Sequence, residues 1–160
     1  MRRNDRARDR GFSTALIDRC SHGVMALSTG EDTPYCLPLS FVRSGDCLYF
    51  HCALEGRKLD LLRRNPRVCV TFVGRDEPAL EPPANYTTFF QSAIVTGSAR
   101  EVTEEEEKTA ALRALCQRLL PQHMEGDTFQ RALASLPATG FWKIKIDHIS
   151  GKEKTPHHDI

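Results

Sequence analysis

No stretch of this chain is long and apolar enough to cross a bilayer, and no signal-peptide h-region follows its arginine-rich start. A secreted or membrane-spanning protein is therefore not expected, and a cytoplasmic one is. An excess of one charge is missing too: 22 Lys and Arg stand against 21 Asp and Glu, a net charge of +1. That argues against nucleic acid as the main partner, because a duplex-binding domain needs a basic surplus. Arg2, Arg3, Arg6, Arg8 and Arg10 open the chain, but Asp5 and Asp9 interrupt them, as in a solvated or helix-starting arm. The six cysteines, at 20, 36, 47, 52, 69 and 116, form no C-x-x-C pair and no zinc-ligand spacing. They read as reduced core residues. No G-x-G-x-x-G occurs, so a dinucleotide has no Rossmann cradle. Gly151-Lys152 is not a P-loop, because Ile146 and Glu153 occupy the places of its first glycine and its Ser or Thr.

What is present suits one domain with a real core: 160 residues, 40% hydrophobic and 27% charged. Residues 1–152 read as that domain and 153–160 as a polar tail carrying His157 and His158. Ser13 can cap a helix over Thr14 to Cys20. Strands are expected at Val24 to Ser28, Tyr35 to Arg43, Cys47 to His51, Arg67 to Val73, Thr87 to Glu101 and Phe141 to His148. Pro34 and Pro38 place the second of these at an edge or a bulge. Ser44-Gly45-Asp46 reads as a hairpin turn, and Gly74 to Asn85, with Pro78, Pro82 and Pro83, as an exposed loop. Arg57 to Arg64 forms a helix that stops at Asn65-Pro66. Thr103 with Glu106 reads as a capping box for a helix to Leu120, and a shorter helix is expected near Thr128 to Leu136. Strands dominate without β-α-β alternation, which implies a small antiparallel barrel with helices outside.

Leu48 to Lys58 carries the chemistry. An apolar strand ends at His51, Cys52 to Glu55 connect, and Gly56 opens a helix with Arg57 and Lys58. A helix N-terminus offers free N–H groups and a partial positive charge, so two cations there make an anion site, with His51 upstream at the reactive end of a phosphate-anchored ligand. The competing description is a solvated basic helix start beside a core histidine. Glu104 to Glu107 reads as an acidic helix start that suits the macrodipole. His22, His123 and His148 each stand alone, without the partners a metal site needs.

Pro34 to Phe41, Thr87 to Gly97, Glu107-Lys108 and Ile144 to Lys152 flank that segment. In this order the blocks resemble the FMN-binding split-barrel family related to pyridoxamine 5'-phosphate oxidase, and within it the nitroimidazole-resistance branch, over about Arg2 to Lys152. The resemblance implies a mainly β (α+β) fold: an antiparallel six-stranded split barrel of Greek-key type with flanking helices. It implies FMN, whose single phosphate needs no Rossmann cradle. Arg57 and Lys58 would take that phosphate. Leu37, Pro38, Leu39 and Ser40 match the strand along the isoalloxazine ring, Cys52 and Ala53 follow His51 beside it, and Gln91 and Ser92 match the strand that adds side-chain hydrogen bonds. Trp142, the only tryptophan, is either barrel core or a contact to the flavin of a second subunit, since the family places FMN between two chains of a homodimer. The family's oxidases close with an arginine- and histidine-bearing motif, whereas Asp147 to Lys152 here departs from it, away from vitamin B6 chemistry.

The activity implied is FMN-dependent reduction of a small acceptor such as a nitroaromatic (nitroimidazole) compound, with electrons from NADH or NADPH and His51 as proton donor or substrate anchor. The alternatives are a haem-binding or haem-degrading split barrel with His51 as axial ligand, and a flavin-binding module without catalysis.

Overall fold

The computed structural model describes residues 3–156. Its strands are β1 (Ala7–Arg8), β2 (Gly23–Leu27), β3 (Tyr35–Leu39), β4 (Val42–Ser44), β5 (Cys47–Cys52), β6 (Arg67–Glu81), β7 (Asn85–Glu101) and β8 (Gly140–Lys154). Four α-helices accompany them: α1 (Arg10–Arg19), α2 (Arg57–Arg64), α3 (Glu105–Leu119) and α4 (Asp127–Ala134). One antiparallel sheet runs in the order β3-β2-β6-β7-β8-β5-β4, with β1 beside the last part of β8. β3 and β4 stand at opposite edges of that sheet, yet only Ser40 and Phe41 join them. The sheet therefore curls until its edges meet, and no ladder closes the seam. This is the expected antiparallel split barrel with flanking helices. The eight strands contain the expected six, with Tyr35 to Arg43 divided in two and the two-residue β1 added.

The division of that strand has a packing cause. Phe41 turns inward and meets Phe50 and Phe72 edge-on, with ring centroids 5.6 and 5.8 Å away. Before the break, Tyr35, Leu37 and Leu39 pack on the barrel core while Cys36 and Pro38 point outward, the period of two that a strand imposes. Pro38 costs no ladder because β3 is an edge, as expected.

Several local expectations are corrected. The first helix begins at Arg10, capped by Asp9, whose carboxylate accepts the Phe12 N–H at 2.7 Å. Ser13 lies inside the helix and is buried, its hydroxyl donating to the Asp9 carbonyl. It faces Gly151, where an added Cβ would fall on the Ser13 hydroxyl, so Gly151 serves the close approach of α1 to β8. Gly74 to Asn85 is not a loop. The Val73/Arg75 register shift makes Gly74 a bulge, and β6 and β7 stay paired out to Glu81 and Asn85. The capping box at α3 does not form, because Thr103 turns to the Glu104 side chain and Glu104 is the cap position. Only Cys20 is buried; Cys36 is exposed and the other four cysteines are intermediate, all of them free thiols. β8 runs to Lys154, where the Lys154 ammonium pairs with Glu81 at 2.8 Å, two residues into the stretch read as a tail. Arg2, His157 and His158 lie outside the described residues. Among those described, no helix is long and apolar enough to cross a membrane, and no cluster of metal-ligating side chains occurs.

Two cores result. The larger lies inside the barrel, where α1 supplies Leu16 and Ile17 and α2 supplies Leu59, Leu61 and Leu62. The smaller lies outside it, where Ala111 and Leu115 of α3 pack on Val42, Val102 and Phe141. A polar contact pins α3 to the sheet beside this second core: Glu107 accepts the Tyr49 hydroxyl at 2.8 Å and pairs with the buried Lys143. The bonds from Lys143 and Tyr49 hold the Glu107 carboxyl below its ordinary 4.5. Burial, aided by the same carboxylate, pushes the Tyr49 hydroxyl up. Because the folded value of Glu107 lies below the unfolded one, acid protonates the unfolded chain first. The contribution is complete above 4.5 and is lost as pH falls through the folded value. Glu107→Gln should therefore flatten the loss of stability on acidification, measured as the urea midpoint from roughly pH 5 down to pH 3. An unchanged acid slope would mean that another group controls it.

Candidate functional site

The start of α2 is an open cation-lined corner. Gly56 caps it with φ +130°, a conformation that suits glycine, and nothing lies within 4 Å of where a Cβ would stand. The N–H groups of Leu59 and Asp60 turn back to the Gly56 carbonyl. Those of Arg57 and Lys58, in the first turn, have no backbone acceptor among the described residues. The Arg57 guanidinium lies 4.9 Å from the centre of the Tyr35 ring and so ties the helix start to the first residue of β3. Lys58 acts electrostatically on Cys52, the last residue of β5, although burial dominates and pushes that thiol up. Gly140 closes the corner: a Cβ there would stand 2.9 Å from the Ala53 carbonyl oxygen and 3.2 Å from Cys52 Sγ. The structure thus brings Cys52, Ala53, Arg57 and Lys58 together with the beginning of β3.

His51 is exposed and lies on the other face of β5 from Cys52, as adjacent strand residues must. Its ring neighbours Phe141, with centroids 6.4 Å apart, and its side chain makes no hydrogen bond among the described residues. The description of His51 as a core histidine is corrected.

Gln91 and Ser92 are not brought to this corner within one chain. In register, Glu101 of β7 pairs with Trp142 and Trp142 with Phe50, next to His51. Gln91 stands ten residues back along β7, roughly 30 Å at strand rise. Its amide donates to Glu153 at 2.6 Å and accepts from Arg19 at 3.3 Å. Trp142 is 3% exposed inside the barrel. It is core rather than a side chain presented to a second subunit, although its indole N–H has no partner there.

Further candidate residues, which the sequence did not single out, lie on the outward face of the sheet. Tyr86, Ile94 and Thr96 of β7 share that face, and Leu80 lies directly opposite Tyr86. Val73, Thr71 and Val24 continue it across β6 and β2 to Pro38. Tyr86 is 90% exposed and Leu80 63% at one end of that face, while Val73 at 60%, Val24 and Ile94 form a second exposed apolar group, with Asp76 and Thr88 between the two. A cleft of about 460 Å³ opens on the same face, beside β3, lined by Ala26, Cys69, Thr96, Pro34, Glu31 and Arg67. The detectable signal was the alternation of Val24, Ala26, Cys36 and Pro38, whose apolar side chains occupy the outward phase of their strands.

Comparison with known proteins places this geometry in context. The profile of the family described as pyridoxamine 5'-phosphate oxidase matches residues 9–153. No curated protein matches the chain. Among solved structures, a candidate 5-nitroimidazole antibiotic resistance protein of Bacteroides thetaiotaomicron superposes with a TM-score of 0.77 at 24% identity, covering 90% of this chain and 83% of the other. A flavocytochrome of Azotobacter vinelandii superposes with a TM-score of 0.81 at 24% identity, covering 98% of this chain and 72% of the other. An FAD and heme binding protein of Mycobacterium smegmatis gives 0.76 at 24% identity, covering 95% and 74%. At these identities the superpositions show a shared fold.

Proposed function

The chain belongs to the pyridoxamine 5'-phosphate oxidase family, and from that premise we propose that it is an FMN-dependent oxidoreductase. It would use a reduced nicotinamide, NADH or NADPH, to reduce a small acceptor such as a nitroaromatic compound. The observation that carries this reading is the corner where Gly56, Arg57 and Lys58 meet Tyr35 and Cys52. It fits a phosphate: open first-turn N–H groups, two cations, and no side chain filling the space at Gly56. The neighbouring cleft suits a ring better than a phosphate, since Glu31 stands at its rim and its floor is apolar. A bound flavin would supply the hydride-accepting and electron-donating chemistry. The protein's part is to hold it: Arg57 and Lys58 on the phosphate, the backbone of Leu37, Leu39 and Ser40 and the outward ring of Pro38 along the flavin ring, Cys52 and Ala53 at the corner. The side chain of Trp142 stays with the core and is left out of these contacts. The free thiols and the charge balance accord with a cytoplasmic protein.

We further propose a homodimer with the flavin between subunits. The exposed apolar side chains of the outward face, Tyr86, Leu80, Val73, Val24 and Ile94, support it, as does the position of Gln91 and Ser92 away from the start of α2 within one chain. Val73→Asp with Tyr86→Asp should yield monomers in light scattering and lose flavin with them; a double variant that stays dimeric would remove this face from the interface.

His51, exposed and with no hydrogen bond among the described residues, presents both ring nitrogens to a bound acceptor. His51→Ala should keep most of its flavin, since the anchoring cations remain, while turnover of an acceptor that needs protonation falls about 10²–10⁴-fold. Full flavin with an unchanged rate would end that role. The same accessibility favours a second reading, His51 as an axial haem ligand, in view of the flavocytochrome and the FAD and heme binding protein that share the fold. The absorption spectrum of the purified protein decides between them. Two flavin bands, bleached anaerobically by a reduced nicotinamide and restored by a nitro compound, are expected. A Soret band without flavin would overturn the proposal, and flavin that no nicotinamide reduces would leave a binding module.

A further inference from the structure

A second concave site lies farther along the outward face, beyond Thr96. The β7–β8 ladder places Arg100 opposite Lys143 and Ser98 opposite Lys145. Side chains directly opposite in such a ladder have Cβ atoms about 4.5–5.5 Å apart, and like charges there destabilise the sheet. A cleft of about 330 Å³ opens over these residues, lined by Arg100, Lys143, Lys145, Ser98 and Cys47.

Counter-charge around it is short. Glu107 pairs with Lys143. Asp46 lies 3.8 Å from Lys145 but is also bound by Arg10 at 2.8 Å. Arg67, opposite Ser98, is matched by Asp147 at 2.5 Å. No carboxylate among the described residues forms an ion pair with Arg100, so Arg10, Arg100, Lys143 and Lys145 face two carboxylates. Concavity concentrates that surplus: the Arg100 guanidinium, the Lys145 ammonium and the Ser98 hydroxyl can donate to a ligand, while Lys143, buried and bonded to Glu107, adds its charge behind them.

We propose that this cleft binds a phosphate-bearing anion, at a site separate from the start of α2. An anion held between Arg100, Lys143 and Lys145 relieves the cross-strand repulsion that the ladder imposes. The proposal does not rest on the flavin reading, because none of its residues takes part in that site. Free pyrophosphate and the phosphates of a nucleotide share this chemistry, and the two are separated by using both as probes.

The test is calorimetric titration of pyrophosphate, and then of ADP, into the Arg57→Ala/Lys58→Ala protein, so that the helix start cannot contribute. One saturable pyrophosphate site per chain is expected. Adding Arg100→Ser and Lys145→Ser should weaken it at least about tenfold, as loss of charge-assisted bonds requires. Both residues are exposed, so the fold should survive, with circular dichroism as the check. ADP binding tighter than pyrophosphate assigns the site to nucleotides, and weaker binding assigns it to small anions. In the unsubstituted protein, pyrophosphate should shield Lys145 from acetylation, which keeps the proposal testable if the variants misfold. Absence of a saturable site overturns it. So does equal weakening by Arg64→Ser/Arg131→Ser, which would mean net charge alone, or loss of the dimer instead of the anion, which would assign these cations to the subunit contact.

Discussion

Replacing both Arg57 and Lys58 with alanine should leave a folded protein that no longer retains flavin through purification. Each charge-assisted bond to a phosphate contributes roughly 1.5–3 kcal/mol. Losing two therefore weakens binding by about 3–6 kcal/mol, or roughly 10²–10⁴-fold. The fold should tolerate the change because α2 holds its place through Leu59, Leu61 and Leu62, all buried in the barrel core. Arg57 contributes only its stacking on Tyr35 to the packing. Lys58 alone should cost less, since it adds a point charge where Arg57 presents a planar pair of donors. The measurement is flavin per chain after desalting, with far-UV circular dichroism to show that the helices persist. A double variant that remains fully yellow would place the phosphate elsewhere and remove the main support for the proposed cofactor site.

Arg118→Ala should produce the largest loss of stability of any single exposed-to-intermediate side chain considered. The Arg118 guanidinium, on α3, donates to the Phe41 carbonyl at 2.7 Å, to Asp18 at 2.9 and 3.1 Å, to Ile17 at 3.2 Å, and to Cys20. Ile17 and Asp18 lie in the last turn of α1, whose carbonyls have no partner within the helix. Phe41 is the residue that turns β3 into β4 at the seam of the barrel. One side chain therefore caps α1, holds the seam and fastens α3 across both. Truncation leaves part-buried carbonyls unpaired, at about 1–3 kcal/mol each before relaxation and water entry, so a net loss of roughly 3–5 kcal/mol is expected. For a chain of this length that is a fall in Tm of about 6–20 °C. Arg118→Lys should recover only part of it, because an ammonium cannot reach carbonyls on two sides at once. A fall of less than about 2 °C for the alanine variant would show that solvent replaces these bonds without loss.

Signals that act over a few residues were legible in the order of amino acids. Gly56 at the opening and Asn65-Pro66 at the stop bound α2 to Arg57–Arg64 as observed, since a helix start and a proline block act locally. The same holds for the turn at Gly45, for Pro38 on an edge strand, and for the run of strands that implied an antiparallel barrel. Tertiary contact decided what lay beyond that range. Gly74 with three prolines after it reads as a loop, and only pairing of β6 with β7 turns the segment into a bulged ribbon. A strand repeats every two residues, so the sequence offers two faces and the ladder partners choose which becomes interior. That choice sent Trp142 inside the barrel and His51 outside, and it left Tyr86, Leu80 and Val73 bare on the outward face. Register also separated Gln91 and Ser92 from Arg57 and Lys58, although both pairs are conspicuous along the chain. Distance between such pairs depends on ladders that join residues far apart in sequence, which no local pattern encodes.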